Sequence, residues 1–244
     1  MSTFNALFKR ELKSYFESPV AYVFLVVFLL LSGFLTFFVS RLYEQGQATL
    51  EPFFFWQPWV YLLLVPAASM RMWSDERRSG TLELLLTLPV TMAQSILAKF
   101  LAAWAFLVLA IALTCPVVVT IYGLGQPDAG TIVSGYLGCI LLAGAYLAVG
   151  AVTSAMTRNQ VISFVVSLVV CLFLLMAGWP PVTEMLVQWA PNWLVNGVAA
   201  FSVMPHFESI QRGVLDLRDF VYYFSVMGVM LFTAHLVLEN RKSA

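Results

Sequence analysis

The densest chemistry in the sequence lies between Asp75 and Glu83, where Asp75, Glu76, Arg77, Arg78 and Glu83 put five charges into nine residues. Paired carboxylates and guanidinium groups make ion pairs and charge-assisted hydrogen bonds. Without a nucleophile or a metal beside them they make no catalytic centre. His206 and His235 are the only histidines, so a nucleophile would find few partner bases. The chain has no H-E-x-x-H, no G-x-S-x-G and no carboxylate pair inside an apolar run, which argues against an enzyme. It also lacks the G-x-x-x-x-G-K-[ST] phosphate cradle, so it cannot bind ATP by that route. Cys115, Cys139 and Cys171 form an odd set within apolar runs, with no metal-like spacing, and read as small hydrophobes.

The elements that must hold this charged stretch are set by composition. Of 244 residues, 61% are hydrophobic and 11% charged, and the mean hydropathy is +0.86. A soluble fold of this size could not hide so much apolar surface, so the chain reads as a membrane protein. No basic domain exists, which disfavours nucleic acid as a partner. Charge-free runs long enough for a helix of about 20 residues across a hydrocarbon core about 30 Å thick occur six times. They are Ser18 to Ser40, Pro52 to Met70, Phe100 to Pro127, Ala129 to Thr157, Asn159 to Thr183 and Phe220 to Leu238. Each span must satisfy its own backbone, and barrel-like alternation is absent, so the expected fold is an all-α bundle of six transmembrane helices.

The spans are expected at about 19–40, 52–71, 98–122, 131–156, 160–179 and 219–238, within one domain covering 19–244. The run after Pro19 is too long for a signal h-region and is expected to remain as an uncleaved first span. With the N-terminus inside, Lys9, Arg10, Lys13, Arg71, Arg77, Arg78, Lys99, Arg158, Arg241 and Lys242 lie on the cytoplasmic side. Only Arg41, Arg212 and Arg218 lie outside. That bias puts both termini and the Asp75 to Glu83 loop in the cytoplasm.

Within 1–18, Phe4, Leu7, Phe8, Leu12, Tyr15 and Phe16 recur at helical spacing among Lys9, Arg10 and Lys13, as in a helix lying along the inner leaflet. The alternative is a stub that only sets topology. Trp179 to Asp219 carries four prolines and apolar pieces too short to span, which fit short helices dipping into the outer interface with Trp179, Trp189 and Trp193 as anchors. The fourth run has small residues four apart (Ser134 and Gly138, Gly144 and Ala148, Ala151 and Ala155), which allow close helix packing, by default within the chain. The runs hold no Asp, Glu, Lys or Arg, and His235 alone of the histidines, which weakens proton- or ion-coupled transport.

The charged loop has local structure of its own. Thr91 and Gln94 have capping-box spacing, so Pro89 closes one short helix and Thr91 opens the third span. Gly80 divides a charged half from a leucine-rich half. On pattern alone, the competing reading is a solvated loop carrying positive-inside arginines.

The stretch Asp75-Glu76-Arg77-Arg78-Ser79-Gly80-Thr81-Leu82-Glu83-Leu84-Leu85-Leu86-Thr87-Leu88-Pro89-Val90 resembles the signature of ABC-2 type transporter permeases, a short coupling helix between the second and third spans. His206 to Asp219 resembles the external segment of the gliding-motility-associated permease subfamily. The resemblance implies a non-catalytic permease subunit, in a bacterial inner membrane, of an ATP-driven transporter, an exporter in direction. It would pair with a second copy or a related permease and dock a separate ATP-binding cassette ATPase that carries ATP and Mg. Membrane lipid and a periplasmic auxiliary protein are further expected partners. The chain itself would hold no cofactor and no metal. Carried over by position, Asp75, Glu76, Arg77, Arg78, Gly80, Thr81 and Glu83 would contact or orient the ATPase. His206, Glu208, Arg212 and Asp216 are candidates for an outer gate, with a re-entrant packing element as the alternative. A second functional class is a membrane scaffold or signalling component that couples ATP hydrolysis to an extracytoplasmic machine and moves no substrate.

Overall fold

A computed structural model of the chain describes residues 3–46, 48–81 and 91–240, and no strand occurs among them. Helix α1 (Thr3–Glu17) leads through Ser18 to α2 (Pro19–Phe34), followed by a short helix α3 (Leu42–Gln45), α4 (Glu51–Ser69) and α5 (Ser74–Ser79). Next come α6 (Met92–Ala112), α7 (Cys115–Leu124), α8 (Ala129–Met156) and α9 (Gln160–Met176). The chain then forms α10 (Pro180–Val187), α11 (Asn192–Ala200), α12 (Val203–Gln211) and α13 (Leu217–Asn240). Five helical stretches among the described residues are long and apolar enough to cross a membrane: Pro19–Glu44, Glu51–Ser79, Met92–Leu124, Ala129–Met156 and Leu217–Asn240. A sixth forms if α9 and Pro181–Val187, bent by 73° to one another, count as one span. The protein is an all-α, multi-pass membrane protein.

Local sequence explains the element boundaries. The Ser18 hydroxyl accepts from Val20 N at 3.3 Å, and Pro19 sits at the first helical position, where its missing N–H loses nothing. Thr91 and Gln94 form the expected reciprocal capping box at 3.3 Å each, and α6 therefore begins at Met92, ahead of the charge-free run that starts at Phe100. At its far end α6 breaks at Leu113–Thr114 ahead of Pro116, and α7 prolongs the span to Leu124. Helix α2 runs on into a π-helical turn at Leu35–Val39, where Ser40 N donates to Leu35 O at 3.0 Å and the Thr36 hydroxyl bonds back to Ser32 O at 2.7 Å.

Helix α8 is the axis of the bundle. Nearly all of it from Gly138 to Ala155 is buried, whereas α2 buries only Ala21, Phe28 and Ser32. Its small residues are what let four neighbours approach. A Cβ on Gly150 would collide with Ser69 of α4, and one on Gly144 would meet Met227 Sδ of α13 at 2.7 Å and the Trp104 indole of α6 at 3.0 Å. The Trp104 indole N–H also donates to Ile140 O at 2.9 Å. The small-residue spacing is thus used for packing within the chain.

The short helices after α9 follow the proline breaks. Trp189 and Trp193 are exposed, and Trp179 packs edge-on against Trp59 with centroids 6.2 Å apart. Helix α1 lies against α6, with Tyr15 stacked on Phe106 at 5.2 Å.

Candidate functional site

Helix α5 is not an independent loop helix but a continuation of α4. After α4 ends, four turn residues, Met70 to Trp73, lead into it. The C-terminal end of α8 fixes this corner. Trp73 N and Ser74 N both donate to the Ser154 hydroxyl at 2.9 and 3.1 Å, and that hydroxyl donates to Met70 O at 3.0 Å. One buried hydroxyl so satisfies two backbone N–H groups of the turn and shares the Met70 carbonyl with the Ser74 hydroxyl, which donates to it at 2.5 Å.

The charged residues of α5 divide into two sets. Asp75, Glu76 and Arg77 turn toward the bundle. The Arg77 guanidinium donates to Ala155 O at 2.5 Å, placing a cation where the last carbonyls of α8 concentrate partial negative charge. The Asp75 carboxylate accepts a hydrogen bond from the Gln160 amide at the start of α9. Glu76 pairs with Lys99 of α6 at 2.8 Å. Arg78, Ser79, Gly80 and Thr81, by contrast, are exposed. Gly80 closes α5 with φ +75°, a left-handed conformation that a Cβ disfavours. Glu83 and the leucine-rich half, including the helix end expected at Pro89, lie outside the described residues.

Lys99 is the centre of the arrangement. The sequence reading treats it as one more loop cation, yet its side chain is only 10% exposed. It sits between Glu76 at 2.8 Å and Glu11 of α1 at 3.0 Å, with its ammonium 5.4 Å from the centroid of the Trp73 ring. Arg10 pairs with Glu11 from the far side at 2.7 Å. Arg10, Glu11, Lys99 and Glu76 thus form a row of alternating charge that ties α1, α6 and α5 together. Burial alone pushes the Glu11 carboxyl up, but the Lys99 charge and hydrogen bonds from Arg10 and Lys99 outweigh it and hold the pKa below the ordinary glutamate value. Burial, together with the Glu11 charge, raises the Tyr15 phenol.

Glu11 and Lys99 were missed as functional residues, although a signal existed. Glu11 lies on the stripe of α1 that carries Leu7 and Tyr15, and Lys99 lies on the stripe of α6 that carries Ile96, Ala103 and Phe106. Opposite charges on two otherwise apolar faces point to a mutual pair.

The other end of α8 carries the second set of candidates. Phe207 and Ile210 of α12 cover Gly138. His206 does not join Glu208, Arg212 or Asp216. Its Nδ1 lies 2.7 Å from Asp219 Oδ1 at the start of α13, and its ring stacks on Tyr222 at 4.1 Å. Glu208 of α12 pairs at 3.4 Å with Arg212, the residue that caps the helix end, and Asp216 accepts from Arg218 N at 3.0 Å. Asp219, a single residue ahead of the last apolar run, is buried and was also missed. His235 meets Glu239 at 3.1 Å one turn on. No group of three or more His, Cys, Asp or Glu side chains able to hold a metal ion occurs among the described residues.

Compared with known families, residues 6–229 match the family described as "ABC-2 family transporter protein". No curated protein matches the chain.

Proposed function

The chain belongs to the ABC-2 family of transporter proteins, as a non-catalytic membrane permease, and from that premise we propose that α5 and the residues following it receive a separate ATP-binding cassette ATPase. In this reading ATP and Mg reside on the partner, the α5 end of the bundle faces the bacterial cytoplasm with both termini, and the direction is export. Residues 1–18 act as an interfacial helix and 19–244 as one six-span domain, working with a second copy or a related permease. The likeness of the charged stretch to the coupling signature, and of His206 to Asp219 to the gliding-motility-associated subfamily, supports this assignment.

The observation that carries the proposal is the division of α5 into an exposed end and an anchored face. Arg78, Gly80 and Thr81 are open to a partner, while Asp75, Glu76 and Arg77 are bound to α9, α6 and α8. Glu83, in the same stretch of sequence, belongs with the contact set. A push on the exposed end therefore reaches three helices through direct polar contacts. A few kcal/mol of differential binding suffices to shift a two-state bundle. At the far end, the outer-gate role falls to α12 and the turn that follows it, with Glu208 of α12 paired to Arg212 just past its end, Asp216 in the turn, and His206 holding α12 to α13.

The test is to purify the chain with its candidate ATPase and compare Arg78→Glu, Glu76→Ala and Arg77→Ala for complex formation and ATP turnover. The expected result is loss of the complex for Arg78→Glu, and a retained complex with uncoupled turnover for the other two. Unchanged assembly and turnover in all three would sink the coupling role.

A further inference from the structure

A groove of about 860 Å³ opens between α1, α2 and α4 at the α5 end of the bundle. Its two walls differ in chemistry along their length. Toward the membrane interior it is lined by Val20, Val23 and Val27 of α2 and by Leu64, Ala67 and Ala68 of α4. The α2 residues recur one turn apart on a single face and are left 52%, 62% and 41% exposed by the fold. Ala67 and Ala68 leave the opposite wall shallow. At the other end the lining becomes ionic, with Lys13, Glu17 and Arg71 at the rim and the Glu11–Lys99–Glu76 row in the floor.

The rim cations are not equivalent. Lys13 pairs with Glu17 at 3.1 Å, and Arg10 with Glu11. Arg71 is exposed and forms no ion pair among the described residues. It stands two residues beyond the end of α4, the level at which a long cationic side chain meets lipid phosphates. From Val20 to Val27 on one wall, and from Arg71 back to Leu64 on the other, the helix rise gives an apolar depth of about 10 Å. One leaflet of the hydrocarbon core is about 15 Å deep. The groove therefore has the polarity, depth and single unpaired cation of a site for one amphiphile with an anionic head.

We propose that this groove holds one glycerophospholipid of the leaflet on the α5 side, its phosphodiester on Arg71 and an acyl chain between α2 and α4. The apolar walls alone would equally accept a helix of a second copy. The unpaired guanidinium at their polar end selects the lipid. A bound lipid would fill the space beside the charged row and hold α1 and α2 at a set distance from α4. The inference does not depend on the ATPase contact.

The experiment uses the full chain in mild detergent, delipidated and titrated with phosphatidylglycerol or with diacylglycerol of the same acyl chains, binding being read by native mass spectrometry. One phosphatidylglycerol should bind per chain in preference to diacylglycerol by about tenfold, the scale of one charge-assisted phosphate contact partly screened by water. Arg71→Ala should abolish the preference, Arg71→Lys should restore most of it, and Ala67→Trp should block both lipids. Arg71 is exposed, so its replacement leaves the packing intact. Equal binding of the two lipids, or a ladder of adducts that Arg71→Ala leaves unchanged, would overturn the proposal. So would a disulfide between two copies of a Val23→Cys variant that is absent from the parent protein, because it would put a second copy in the groove.

Discussion

Lys99 Nζ lies 2.8 Å from Glu76 Oε1 and 3.0 Å from Glu11 Oε2, so one ammonium on α6 holds carboxylates from both the helix that follows the second span and the helix that precedes the first. A charge pair mostly removed from water is destabilised far more by loss of one partner than it gains from being formed. Both carboxylates depend on this lysine.

Replacing Lys99 with Met is therefore expected to destabilise the protein by about 3 kcal/mol, because Glu11 and Glu76 are left facing each other with one cation fewer. Lys99→Arg should retain more than half of the lost stability. Thermal unfolding in detergent measures both, and a Met variant as stable as the parent would show that the row contributes nothing.

Two classes of α5 variant should separate cleanly. Arg78→Glu changes an exposed side chain, and its effect on stability should stay within about 0.5 kcal/mol. Arg77→Ala removes the donor to Ala155 O and should cost about 1–3 kcal/mol. Measuring melting temperature beside ATPase co-purification checks this. Equal melting shifts for the two would contradict the division of α5 into exposed and anchored residues.

Glu11 sets a pH dependence. Its folded pKa is lowered, so the stability it contributes is present above the ordinary value of 4.5 and is lost as pH falls through the folded value. Acidification below 4.5 and on through the folded value should loosen α1 from α6, with no change between neutrality and 4.5, and Glu11→Gln should flatten this part of the profile. Hydrogen exchange in 3–17 followed against pH is the direct readout, and an identical profile in the Gln variant would exclude Glu11 as the titrating group.

Gly150→Ala should destabilise by about 1–3 kcal/mol through overpacking, since the new methyl group meets Ser69 of a buried helix. The paired variant Gly150→Ala with Ser69→Gly should recover part of the loss. Absence of any recovery in thermal unfolding would place the strain elsewhere.

Much of the architecture was legible before any coordinates. Hydrophobic runs and the Thr91–Gln94 box act locally, through hydration and nearby backbone hydrogen bonds: five helical stretches of span length occur among the described residues, and the box forms as its spacing predicts. The break at Gly80 was legible for the same reason, because a left-handed cap is a property of one residue. The bend of α9 into α10, and the extension of the second span through Trp73 into α5, were not. They depend on what the chain meets, and the Ser154 hydroxyl that holds the corner lies about 80 residues away.

The sequence by itself determined that this is a helical membrane protein with one charged connection able to meet a soluble partner, because hydropathy and charge act on each segment separately. Only the tertiary structure decided which of those charges remain available. Burial next to Lys99, α8 and α9 takes up Glu76, Arg77 and Asp75, and leaves Arg78 to Thr81 in water. The same packing turned Lys99 from a topological marker into the hub of the site, since the energy of an ion depends on its surroundings and not on its place in the chain.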